Sequence, residues 1–175
     1  WVRFWDLAGT EERGNQAAAC TAGVLVGLRD ERIYVADVRR ERFDPAGVDR
    51  LVLATAQQDG RGVAIRQEKE PGSSGKFVVA DFARKLFGYD YKGTPATGSK
   101  VERARPFSAA ASNGLVRIVR GAWNGAYLDE LEAFPAEGVT RDQVDASSGA
   151  FLDLTSEPDE QDAVFGLEDI MPGWA

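Results

Sequence analysis

Residues 62–86 read "GVAIRQEKEPGSSGKFVVADFARKL". The run "GVAIRQE" has the pattern of a strand, it ends at Pro71-Gly72-Ser73-Ser74-Gly75, and a helical pattern follows. A strand, a glycine-rich turn and a helix raise the question of a nucleotide-binding P-loop. That loop needs Gly, four residues, Gly, Lys and then Ser or Thr. Counting back from Gly75 and Lys76 puts Glu70 at the first glycine position, and Phe77 follows the lysine. A carboxylate there has the wrong sign for a phosphate cradle, and phenylalanine offers no hydroxyl to a magnesium ion. The stretch is not a Walker loop. Its two glutamates, Glu68 and Glu70, lie on one strand face by the period of two and become candidates for chemistry.

Working outward, "VRFWDLAG" alternates apolar and polar residues and reads as a strand ending at Asp6. "EERGNQ" is a polar loop, and "ACTAGVLVGL" and "RIYVADVRRERF" are β-rich runs joined by "RDE", a hairpin signature. "DPAGVDRLVLATAQQDG" is a helix with Asp44 as N-cap, Pro45 at its first position and Gly60 as its stop. "SSGKFVVADFARKLFG" reads as a serine-capped helix closed by Gly88, with Phe77, Val78, Phe82, Leu86 and Phe87 expected to pack it on the sheet. Gly72 and Gly75 let the chain leave the strand sharply, and the N–H groups of the helix start could also hold a phosphate. "KVERARPFSAAASNG" is helical, "LVRIVRG" a strand, and "NGAYLDELEAFP" a helix stopped by Pro135. Trp123 is expected as a core or hinge aromatic rather than a surface for stacking DNA. "TRDQVDASSGAFLDL" is a last helix with Thr140 as its expected cap. The order predicts an α/β fold: a mixed sheet with three antiparallel strands first and parallel strands after them, flanked by helices.

A chain of 175 residues is long enough for one domain with a real core. At 43% hydrophobic and 28% charged it has ordinary globular composition, and no apolar run approaches the ~20 residues that span a bilayer. With no basic-then-apolar leader in view, secretion is not expected. Opening on Trp1 inside a strand-like run suggests a fragment of a longer protein. The single Cys20 cannot form an internal disulfide and reads as a buried spectator in a reducing compartment. The absence of histidine excludes His-based triads and His-ligated zinc, so any metal would be a hard cation held by Asp and Glu. The formal charge is −7, but the segment from Asp153 to Ala175 carries seven acids and no Lys or Arg, which leaves residues 1–152 neutral. Between Arg61 and Arg120 there are twelve basic residues against five acidic ones, a basic middle compatible with a polyanion.

Three places put carboxylates where a strand end or a first helical turn would expose them. Asp6 alternates with Trp5 and Leu7 and so points away from their apolar layer. Glu68 and Glu70 close the fourth strand. Asp142 and Asp145, three apart in "RDQVDA", share a helix face. Singly, each is explained as a solvated end charge or a helix N-terminal acid. Together they have the layout of an acidic two-metal site, in which Mg²⁺ or Mn²⁺ ions about 4 Å apart activate water and stabilise a leaving oxygen in phosphodiester cleavage. "SKVERARPF" adds Lys100, Arg103 and Arg105 for phosphates.

"RFWDLAGTE", "YVADVRRERFDPAGVD", "QEKEPGSSGK", "KVERARPFSAAASNGLVRIVRGAWNGAYLDELEAFP" and "RDQVDASSGAF", in this order from about Arg3 to Leu152, resemble the C-terminal nuclease domain of tailed-phage terminase large subunits. The likeness to Holliday-junction resolvases, which share the ribonuclease H-like fold, is weaker. The resemblance implies that residues 1–152 form a ribonuclease H-like nuclease domain. That domain would cut double-stranded viral DNA during packaging, in the host cytoplasm, with Mg²⁺ or Mn²⁺ as cofactor. It also implies an ATPase domain N-terminal to Trp1, a small subunit, and a portal or procapsid as partners. The acidic segment 153–175, expected to be a flexible tail, would be a docking segment for the last of these. Carried over by motif, Asp6 would bridge the metals, Glu68 or Glu70 would be the central-strand acid, and Asp145 would be the final-helix ligand with Asp142 beside it. This chain has Lys69 where the family usually has glutamine, and Thr140-Arg141-Asp142 where acids are more frequent. Lys100 and Arg103 match a Lys-x-x-Arg stretch that contacts phosphate, and Lys76 is a weaker candidate for the same role. A structure-selective resolvase and a non-catalytic docking module are the alternatives.

Overall fold

Alternation along the first strand decides the layering. In β1 (Val2–Asp6), Val2 and Phe4 enter one apolar cluster and Trp5 enters another on the opposite face. The computed structural model describes residues 1–7, 20–136 and 140–156. The expected polar loop at residues 11–16 and the acidic segment from residue 157 onward lie outside the described residues.

The antiparallel hairpin β2 (Thr21–Arg29) and β3 (Arg32–Glu41) turns through Asp30 and Glu31, both at positive φ, as its two-residue connection requires. A register shift at Leu25/Val26 bulges β3, so Val35 and Val38 reach the same apolar cluster despite their odd spacing. Helix α1 (Pro45–Asp59) starts as its sequence predicts: the Asp44 carboxylate accepts from the Gly47 N–H, with proline at the first position. Strand β4 (Ala64–Lys69), helix α2 (Ser73–Lys85) and strand β5 (Tyr91–Pro95) follow. Helix α3 (Lys100–Ser112), strand β6 (Val116–Ile118) and helices α4 (Asn124–Ala133) and α5 (Asp142–Thr155) complete the chain.

The six strands run β5-β4-β1-β2-β3-β6. The centre β1-β2-β3 is antiparallel, β4 and β5 extend it in parallel on one side, and β6 lies parallel to β3 on the other. Helices α1 and α2 cover the Trp5 face through Val48, Val52, Ala56, Phe82 and Leu86. Helices α3, α4 and α5 cover the other through Phe107, Tyr127, Ala146 and Ala150. Trp123 packs edge-on against Tyr127 and belongs to this second layer.

Two expected caps and one expected face differ from the sequence reading. Helix α2 is not serine-capped: Gly72 stands at its N-cap, at φ 93°, without a side-chain bond. Thr140 does not cap α5, because Arg141 takes the N-cap position and the Thr140 hydroxyl is engaged by Arg40 and Glu130. Along α2 the inward stripe is Gly75, Val79, Phe82 and Leu86, at spacings of four, three and four. Phe77 (76% exposed), Val78 and Phe87 (90% exposed) lie off that stripe and face solvent rather than the sheet.

Candidate active site

Parallel pairing of β1 with β4 sets the ends of both strands side by side, with Trp5 opposite Gln67. The next residue of each strand is an acid, Asp6 and Glu68, on the face covered by α3 and α5. Glu70, two residues further, does not follow. The strand stops at Lys69, and the turn through Pro71 and Gly72 leaves Glu70 exposed. Close approach makes that turn possible: a Cβ on Gly75 would stand 2.1 Å from the Glu70 carbonyl oxygen.

Two further acids come from α5. Asp142 accepts a bond from the Cys20 N–H (3.0 Å), which ties the start of the helix to the start of β2. Asp145, one turn on, is 1% exposed. The first turn of α5 lacks a cap of its own. Glu130 of α4 supplies it: its buried carboxylate accepts from the Gln143 N–H (2.7 Å), the Val144 N–H (3.2 Å) and the Gln143 side-chain amide (2.7 Å). Arg40 stands 3.6 Å from the same carboxylate. Sequence reasoning missed Glu130. An acid inside "YLDELEAF" carries no local sign that a helix N-terminus thirteen residues on will use it.

The first turn of α3 brings cations to these acids. A reciprocal capping box between Ser99 and Glu102 starts the helix. Lys100 Nζ donates to Asp145 Oδ2. Arg103 Nη2 lies 3.2 Å from Glu68 Oε2 and 3.5 Å from Asp145 Oδ1. Burial pushes the Asp6 carboxyl well above the usual carboxylate range; the Lys100 charge draws it back, and Asp145, Glu68 and Asp142 push it up again. Burial also raises Glu68 against the pull of Arg103, and raises Asp142 against the bond from Cys20. Burial opposes the charge of Lys100, yet the bond to Asp145 and the charges of Asp6, Asp145 and Glu68 raise it overall.

The structure thus assembles Asp6, Glu68, Asp142, Asp145, Lys100 and Arg103 in one place. It leaves out Glu70 and two other charges of the sequence reading. Lys76 is exposed on α2, which packs on the opposite face of the sheet, and Arg105 is exposed on α3, where its charge acts on Glu102. From the acids a groove of ≈ 600 Å³ leads along β5, lined by Glu68, Arg103, Asp145, Arg66, Lys92 and Thr94. Hard carboxylate oxygens from three separate elements are the donor set that Mg²⁺ or Mn²⁺ prefers. Among the described residues, no three acids close on one point in the arrangement seen, where Lys100 and Arg103 stand between them.

A mixed β-sheet with acids at adjacent ends of its first and fourth strands and on a final helix defines a ribonuclease H-like domain. A family model described as the terminase RNaseH-like domain matches residues 3–154, and the chain belongs to that family. Among solved structures, the human cytomegalovirus terminase nuclease domain, soaked with manganese and with an inhibitor bound, has the same fold. Its TM-score is 0.61 at 9% identity, over 86% of this chain and 80% of that one. No curated protein matches the sequence. Among the described residues, no helix is long and apolar enough to cross a membrane.

Proposed function

We propose that this domain is a metal-dependent endonuclease that cuts double-stranded viral DNA during genome packaging. The observation that carries the reading is the convergence of Asp6, Glu68, Asp142 and Asp145 from β1, β4 and α5, with two cations beside them. Carboxylates crowded together in a partly buried site are costly, and such a cluster is retained where its charge is used. Asp6, Glu68 and Asp145 would hold Mg²⁺ or Mn²⁺, with Asp142 as a further ligand. When bound, the ions supply Lewis acidity to the attacking water and to the departing 3′ oxygen. The manganese-soaked relative of the same fold is in keeping with that choice.

The chain's own groups do the positioning. Arg103 fixes the carboxylates of Glu68 and Asp145, Asp142 is oriented by the Cys20 N–H, and Glu130 holds the turn that carries both aspartates. The groove past Arg66 and Lys92 offers the polynucleotide a path along β5. Residues 1–152 would form the catalytic unit, with α5 running on to Thr155, and 153–175 an acidic extension reaching a portal or procapsid. An ATPase domain, a small subunit and the host cytoplasm complete the setting.

Nicking and linearisation of supercoiled plasmid in Mn²⁺, Mg²⁺ and EDTA tests the reading. Cutting that needs the metal, is lost in Asp6→Ala, Glu68→Ala and Asp145→Ala, and survives in Glu70→Ala is the expected result. Equal cutting by all four variants would refute it.

A further inference from the structure

The two cations of α3 engage the acids in different ways. Arg103, 13% exposed, is enclosed between Glu68 and Asp145. Lys100, at the first position of the helix, reaches inward to the almost fully buried Asp145 while its own side chain is 45% exposed. Its charge acts on all four acids: it lowers Asp6, Glu68 and Asp142 and is bonded to Asp145. An ammonium on a flexible four-carbon stem is a compact, strongly hydrated point charge, whereas a guanidinium forked between two carboxylates is a rigid brace. Lys100 also has an open route to solvent. A divalent cation cannot share the centre of the carboxylates with an ammonium, because like charges a few ångströms apart in a partly buried site repel strongly.

We propose that Lys100 is a displaceable stand-in for the divalent cation. It holds the carboxylates together in the metal-free protein and swings out to solvent as the cation enters, while Arg103 stays in place. This rests on the metal-site reading above and adds a consequence. Whatever stabilises the metal-free state lowers the apparent affinity for the metal by the same factor. Without Lys100, the four acids would lose a cation that acts on every one of them, so the metal-free protein would be less stable and the metal would bind more tightly. Lys100 thus exchanges affinity for a site that stays assembled while empty, and its release places a cation at the rim of the groove where the polynucleotide arrives.

The test measures Mn²⁺ binding by the electron paramagnetic resonance signal of the free ion, and thermal unfolding in EDTA and in saturating Mn²⁺. Both use the 175-residue chain, as wild type, Lys100→Met and Asp145→Asn. The expected result is Mn²⁺ binding about tenfold or more tighter in Lys100→Met, equivalent to about 1.4 kcal/mol. Its melting temperature should lie below wild type in EDTA and match it in Mn²⁺. Should Lys100→Met fail to fold in EDTA, Lys100→Gln, which keeps a polar chain without the charge, takes its place in the same titration. Unchanged or weaker Mn²⁺ binding in the Lys100 variant overturns the proposal. If that occurs while Asp145→Asn abolishes binding, the acidic site stands and only the role of Lys100 falls. If Asp145→Asn binds Mn²⁺ as wild type does, the metal-site reading falls with it.

Discussion

Replacing Glu130 with alanine removes the cap that α5 borrows from α4. Glu130 is 3% exposed at its side chain and accepts bonds from two backbone N–H groups, the Gln143 amide and the Thr140 hydroxyl, with Arg40 3.6 Å away. In Glu130→Ala the Gln143 and Val144 N–H groups lose their acceptor inside the protein, and Arg40 loses its counter-charge. Hydrogen bonds to a charged group contribute about 1.5–3 kcal/mol each, but they share one carboxylate and do not add in full. Breaking a buried charged cluster by removing one partner costs about 3–5 kcal/mol, which is the figure expected here. For a domain of this size each kcal/mol moves Tm by roughly 2–4 °C, so the variant should melt roughly 6–20 °C lower. Glu130→Gln keeps one acceptor oxygen and should lose about half as much. Because α5's first turn carries Asp142 and Asp145, Mn²⁺ affinity should drop in parallel. Thermal unfolding followed by circular dichroism reads the first effect. A Glu130→Ala protein melting within about 2 °C of wild type would refute the argument that α4 caps α5.

Gly75→Ala should destabilise by about 1–3 kcal/mol, since the new methyl would meet the Glu70 carbonyl and the turn must open; a urea midpoint unchanged from wild type would contradict this. Arg3 is 1% exposed, pairs through two nitrogens with Asp59 and also bonds Asp37 and the Gly23 carbonyl, so Arg3→Ala should cost about 3–5 kcal/mol in the same assay. Burial raises Asp6, Glu68 and Asp142, so the metal-free native state retains protons that the unfolded chain has already released. Their contribution to stability therefore falls as pH rises from the ordinary carboxylate range through the raised values, and returns on acidification. In EDTA, Asp6→Asn should gain on wild type as pH is raised from about 4 to about 7, and urea midpoints that run parallel over that span would count against the buried cluster.

Local chemistry alone determined much of this protein. The "RDE" hairpin, the Asp44-Pro45 start of α1, the strand–turn–helix of residues 62–86 and the order of elements follow from periodicity, capping and glycine placement, which act over a few residues. The alternation of Trp5, Asp6 and Leu7 likewise sets the face of Asp6 without any distant contact. Tertiary structure decided what depends on distant partners. Glu68 and Glu70 are equivalent by period, and only the end of β4 at Lys69 and the packing of Gly75 on the Glu70 carbonyl separate them. Thr140 has the chemistry of a cap, but Glu130 of another helix holds the N–H groups of α5. Phe77 and Phe87 look as apolar as Phe82, yet the one stripe of α2 that meets the sheet excludes them. The bond from Cys20 to Asp142 joins residues 122 apart. A local pattern can present a carboxylate on a face or at a strand end; which carboxylates and cations meet is fixed only when the sheet order and helix packing bring those ends together.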